Sequence, residues 1–82
     1  MKRHNLAFGR TLRCLRQARG LTQEGLAFES DLDRTYISLL ELGSRSPTMD
    51  TIAALCGAMD ISFEALGKAI DAELSKDQEC TK

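Results

Sequence analysis

The sequence is poor in the residues from which most catalytic and metal sites are built. It has one histidine, His4, and three cysteines, Cys14, Cys56 and Cys80, in 82 residues. The cysteines are odd in number, widely spaced and free of any C-x-x-C or paired-histidine pattern, which argues against a disulfide framework and against a zinc site. Cys56 falls at a core position of a helix, where a thiol behaves as a small hydrophobe. Cys14 lies off the apolar stripe of its helix, and Cys80 falls in the final, polar stretch. Also missing are a carboxylate pair, a nucleophile with its base, and a glycine loop that could cradle phosphate; Ser38 has no histidine to work with. No catalytic residue, metal or cofactor is expected. No apolar run is long enough to span a bilayer and no charged-then-apolar leader is present, so the expectation is a cytoplasmic protein with no membrane partner.

An overall basic charge is lacking too. The formal net charge is -1 and the pI is about 5.7, yet the charges are sorted along the chain. Up to Gly20 stand Lys2, Arg3, Arg10, Arg13, Arg16 and Arg19 with no acid. From Leu21 to Ser46 two cations face five acids, and from Pro47 onward three face seven. One basic end and one acidic end suit a protein that meets phosphate with a defined face.

What is present is helical periodicity throughout, so the fold class is all-α. A first helix from Leu6 to about Arg19 carries Phe8, Leu12 and Leu15 on one side, and Gly20 provides its stop. Thr22 and Asp33 are the expected N-caps of two short helices meeting at Asp31-Leu32-Asp33. Leu26, Leu32, Ile37 and Leu40 then point into a shared core. Thr48 caps a fourth helix burying Ile52, Leu55, Cys56 and Met59, and Ser62 caps a fifth with Phe63, Leu66, Ile70 and Leu74 on one stripe. Gly25, at the third position of the second helix, costs about 1 kcal/mol relative to alanine. Residues 1–5 are read as a loose arm, 6–75 as the domain, and 76–82 as a flexible tail.

Several phrases occur in an order that resembles the Cro and repressor family of helix-turn-helix regulators, the lambda repressor-like or XRE class. They are Gly20-Leu21-Thr22-Gln23-Glu24, Leu26-Ala27, Asp33-Arg34-Thr35-Tyr36-Ile37-Ser38, Glu41-Leu42-Gly43 and Arg45-Ser46-Pro47-Thr48. The resemblance implies a five-helix fold with its helix-turn-helix at residues 22–42, formed by helices two and three. It implies that Arg16 pairs with Glu41 and ties the first helix to the recognition helix. It also departs from the family: Asp31 and Asp60 stand where glycine is usual, both at positions needing a left-handed backbone.

The partner the resemblance implies is double-stranded DNA. Arg34 and Thr35 are the expected base readers, Arg34 being suited to the paired acceptors of guanine. Tyr36 and Ser38 are expected at phosphate and groove edges. Thr22 and Gln23, at the opening of the second helix, and Ser44 and Arg45, in the loop after the third, are expected over the backbone. Tyr36, Leu39 and Leu42 form an apolar row open to two readings. Leu39 presses on a thymine methyl, or the row grips a protein partner, as in an antitoxin-like interaction module. On the fifth helix Ala65, Ala69 and Ala72 form a small apolar stripe, either a homodimer interface or a solvated face. Stand-alone regulators of this size resemble phage Cro proteins, restriction-modification controller proteins and antitoxins. The expected function is a sequence-specific transcriptional regulator acting as a homodimer on a roughly palindromic operator.

Overall fold

A computed structural model describes the backbone of residues 2–80 and the side chains of residues 2–76. Five helices, α1 (Arg3–Ala18), α2 (Gln23–Ser30), α3 (Arg34–Glu41), α4 (Met49–Met59) and α5 (Phe63–Cys80), make up the described chain, which contains no strand.

Helix starts are set by side chains that satisfy first-turn amides. The Thr22 hydroxyl accepts from the Gly25 amide at 2.9 Å, and an Asp33 carboxylate oxygen accepts from the Thr35 amide at 3.0 Å. Thr48 accepts from the Thr51 amide at 3.1 Å and Ser62 from the Ala65 amide at 3.0 Å. At the other ends, Asp31 and Asp60 take left-handed backbones at φ +58° and +56°, and Gly20 and Gly43 do so at +69° and +80°. Aspartate tolerates this region but pays for its Cβ. Replacing Asp31 or Asp60 with glycine is expected to stabilise the fold by about 0.5 kcal/mol each, the relieved strain being partly offset by glycine's entropy, and so to raise Tm by roughly 2–4 °C. A thermal melt of each variant checks this; an unchanged or lower Tm would place no strain at these corners.

All five helices contribute to one core. Phe8 and Leu12 of α1, Leu26 and Ala27 of α2, Ile37 and Leu40 of α3, Leu55, Cys56 and Met59 of α4 and Leu66 of α5 are buried together. Leu15, Leu32, Ile52 and Ile70, expected in the core, pack against its edge. Burial pushes the Cys56 thiol pKa up, which keeps it a neutral apolar filler. Cys14 is exposed and unbonded.

Three expectations need correction. Helix α1 begins at Arg3, so residues 3–5 are helical rather than part of an arm. Its start has no side-chain cap, but Asn5 Nδ2 donates to Ser46 Oγ at 2.8 Å, and this contact anchors the first turn. At the other end α5 continues through Cys80, across most of the stretch expected to be a tail. No proline or glycine interrupts it there, and Lys76 pairs with Glu73 at 3.2 Å one turn back. Residues 1, 81 and 82 lie outside those described. Finally, Phe63 is 48% exposed, so of its stripe only Leu66 is fully buried. As the first helical residue after Ser62, Phe63 stands beyond the part of α5 that packs into the core.

Candidate nucleic-acid interface

The last turn of α3 is locked from two directions. Arg16, on α1, is only 8% exposed, and its guanidinium meets the Glu41 carboxylate through Nε to Oε2 at 2.6 Å and Nη2 to Oε1 at 3.2 Å. Its Nη1 also donates to the Leu21 carbonyl at 2.7 Å, so the same side chain holds the connection between α1 and α2. From α2, Gln23 Nε2 donates to Glu41 Oε1 at 3.0 Å. One carboxylate thus gathers α1, α2 and α3, and each of its oxygens has a donor. Arg16 is therefore structural, as is Arg19, whose Nε donates to the Met59 carbonyl at the end of α4.

With that end held, the opposite end of α3 faces outward. Arg34 and Thr35 are both exposed in its first turn, directly after the Asp33 cap. The helix has eight residues, about 12 Å at 1.5 Å per residue, and an α-helix with its side chains is about 10–12 Å across, which a B-DNA major groove about 12 Å wide admits. Ser44 and Arg45 are exposed in the loop that follows Gly43. Thr22 is exposed beside half-buried Gln23 at the start of α2, and the Gln23–Glu41 bond brings that start to the C-terminal end of α3. The exposed groups therefore fall into two sets: a pair at the tip of α3, and a polar flank of Thr22, Gln23, Ser44 and Arg45 at its rear.

A family model described as helix-turn-helix matches residues 12–66, which span α2, the turn, α3 and their supports. The chain belongs to the helix-turn-helix family. It is 42% identical over 57 residues to control protein C.BamHI of Bacillus amyloliquefaciens, covering 68% of this chain and 70% of that one. It superposes on the restriction-modification controller protein C.AhdI from Aeromonas hydrophila with a TM-score of 0.74 at 45% identity, covering 76% of this chain and 94% of that one. The controller protein C.Esp1396I, solved as a tetramer in complex with its natural 35 base-pair operator, gives a TM-score of 0.85 at 28% identity, covering 90% and 97%. The fold is lambda repressor-like, and a helix-turn-helix chain with controller and repressor relatives is a transcriptional regulator rather than an enzyme.

Within this helix-turn-helix the apolar row on α3 is not the exposed surface that its spacing implies. Tyr36 is half-buried against the core, with its hydroxyl 3.4 Å from Thr51 Oγ1. Leu39 is also half-buried, and of the three only Leu42, at 60%, is exposed. The start of α4 is what Tyr36 packs on: Thr51 is buried and also bonded to the Thr48 cap at 3.1 Å. A protein-gripping row therefore loses two of its three members. Ser38 is half-buried as well. On α5, Ala65 and Ala72 are exposed and Ala69 half-buried. Two supporting residues carry no local signal in the sequence, Asn5 and Thr51, because each works through a partner on a distant element.

Proposed function

We propose that the chain binds duplex DNA as a twofold dimer, with the two α3 helices entering successive major grooves of a roughly palindromic operator about 34 Å apart. The observation that carries this is the contrast between the two ends of α3. Glu41 is tied to α1 and α2, while Arg34 and Thr35 stand exposed in the first turn. In this reading Arg34 and Thr35 read base edges, and the rear flank of Thr22, Gln23, Ser44 and Arg45 meets phosphates beside the groove. Gln23 keeps one amide hydrogen for phosphate while the other holds Glu41. Tyr36, Ser38 and Leu39 contribute their accessible edges at the groove wall. The partly exposed alanine stripe of α5, Ala65, Ala69 and Ala72, pairs with its copy, since small side chains allow helices to approach closely. C.Esp1396I, similar in fold across most of its length, was solved on operator DNA as a tetramer.

The names of the same relatives support a controller-like role, and in this reading protein concentration sets occupancy through coupled dimerisation and binding. In this reading the protein works where the DNA is, in the cytoplasm. Selection from a random duplex pool, with sedimentation of the protein alone and on the selected duplex, tests the reading. The expected outcome is two half-sites related by a twofold axis and two copies per site. A single asymmetric site occupied by a monomer would refute it.

A further inference from the structure

We propose that Gly9 is a positioning residue for DNA reading, setting the height and tilt of α3 by letting the α1 backbone touch the last carbonyls of the recognition helix. This rests on the assignment of Arg34 and Thr35 as base readers. Gly9 is buried on α1. A Cβ placed there would lie 2.5 Å from the Leu40 carbonyl oxygen, 2.5 Å from the Glu41 carbonyl oxygen and 2.9 Å from the Glu41 carbonyl carbon. All three atoms are backbone, so no side chain can swing aside to make room. The other helical glycines are less confined: at Gly57 on α4 and Gly67 on α5 a Cβ would meet nothing within 4 Å, and at Gly25 on α2 only side-chain atoms, the nearest at 3.2 Å.

The contact belongs to a larger grip. Leu6, three residues before Gly9 on the same face of α1, closes on Gly43, where a Cβ would come within 2.8 Å of Leu6 Cδ2 and 3.1 Å of its Cα. Arg16, two turns after Gly9, holds the Glu41 carboxylate at 2.6 Å. Thus α1 holds the end of α3 at three levels: Leu6 against the turn at Gly43, Gly9 against two carbonyls, and Arg16 on the side chain. Gly9 is the level at which an added methyl group would meet backbone atoms alone, and meet them most closely.

Ordinary van der Waals contact would require the two helices to separate by several tenths of an ångström or more at this point. Glu41 and Arg34 are seven residues apart on one helix, about 10 Å. A displacement forced at one end is therefore carried to the base-reading tip, where hydrogen bonds have only a few tenths of an ångström of tolerance. Phosphate attraction is less exacting in geometry. The expected signature of Gly9→Ala is loss of selectivity, with general DNA affinity kept.

The test compares the parent, Gly9→Ala and the control Gly57→Ala on two duplexes: one that the parent selects from a random pool, and a scramble of the same length and composition. Gly9→Ala is expected to lose roughly 10–100-fold on the selected duplex while staying within about threefold of the parent on the scramble at equal salt. Gly57→Ala should leave both unchanged. If Gly9→Ala melts below the assay temperature, Gly57→Ala and Asp60→Gly are added to it and the pair of affinities measured in that background. Parent-like selectivity, or equal loss on both duplexes, overturns the proposal, as does a chain that stays unfolded even in that background, which would make Gly9 a folding residue only. A parent that selects no duplex would instead overturn the DNA-reading assignment, and the inference with it.

Discussion

Arg16→Ala is expected to lower stability by about 3–5 kcal/mol, because it removes one partner of a buried ion pair and strands the other. Glu41 would keep only the Gln23 amide as a donor, with its side chain 5% exposed. The Leu21 carbonyl would lose its bond to Nη1 at the same time. Domains of this kind have roughly 5–15 kcal/mol of stability in total, so the loss is a large fraction of what exists. At about 4–8 °C per kcal/mol in a chain this small, Tm should fall by at least roughly 12 °C. Replacing both partners at once, as in Arg16→Met with Glu41→Leu, should cost clearly less than Arg16→Ala, since no charge is left buried alone. Thermal melts of the two variants check both statements. An Arg16→Ala Tm equal to the parent's would remove the pair from the account of how α3 is held.

Arg34→Ala should leave the melting curve within about 0.5 kcal/mol of the parent, as expected for an exposed residue outside the core that takes no part in the Asp33–Thr35 capping bond. Its effect should fall on binding. One bidentate contact to guanine is worth about 1–3 kcal/mol, and a twofold dimer carries two such contacts, so the loss on the selected duplex should be about 2–6 kcal/mol per dimer. The preference at one base step of each half-site should relax as well. Titration of parent and variant against the selected duplex and against the same duplex altered at that step measures both effects. Equal losses on selected and scrambled DNA would show that Arg34 touches only phosphate.

The parts of this molecule that are legible in its sequence are those decided locally. Thr22, Asp33, Thr48 and Ser62 cap helices through bonds to amides two or three residues on, so each cap can be read from a short window. The same is true of Leu26, Ile37 and Leu40, whose spacing alone predicts burial, whereas the left-handed corners at Asp31 and Asp60 follow from the family resemblance. What escapes such a window is contact between distant elements. Asn5 and Ser46 are 41 residues apart, and their bond turns an expected loose arm into the first turn of α1. Tyr36 is drawn inward by Thr51, which no pattern on α3 anticipates. Gly9 is one glycine in a helical stretch until the carbonyls of Leu40 and Glu41 are placed against it. The Arg16–Glu41 pair, 25 residues apart, follows from family resemblance rather than from periodicity. Phe28 shows the limit of apolar patterning, being 84% exposed on α2.

The measurement that bears most directly on the whole account is the affinity for the selected duplex as a function of salt. Each half of the proposed dimer would bring Arg45, and the Asn5–Ser46 bond sets the α1 start, with Lys2 and Arg3, close to the same loop. With about −0.9 in log K per log salt for each phosphate neutralised, the slope should be about −2 or steeper. A slope near zero, or no duplex retained at low ionic strength, would contradict it.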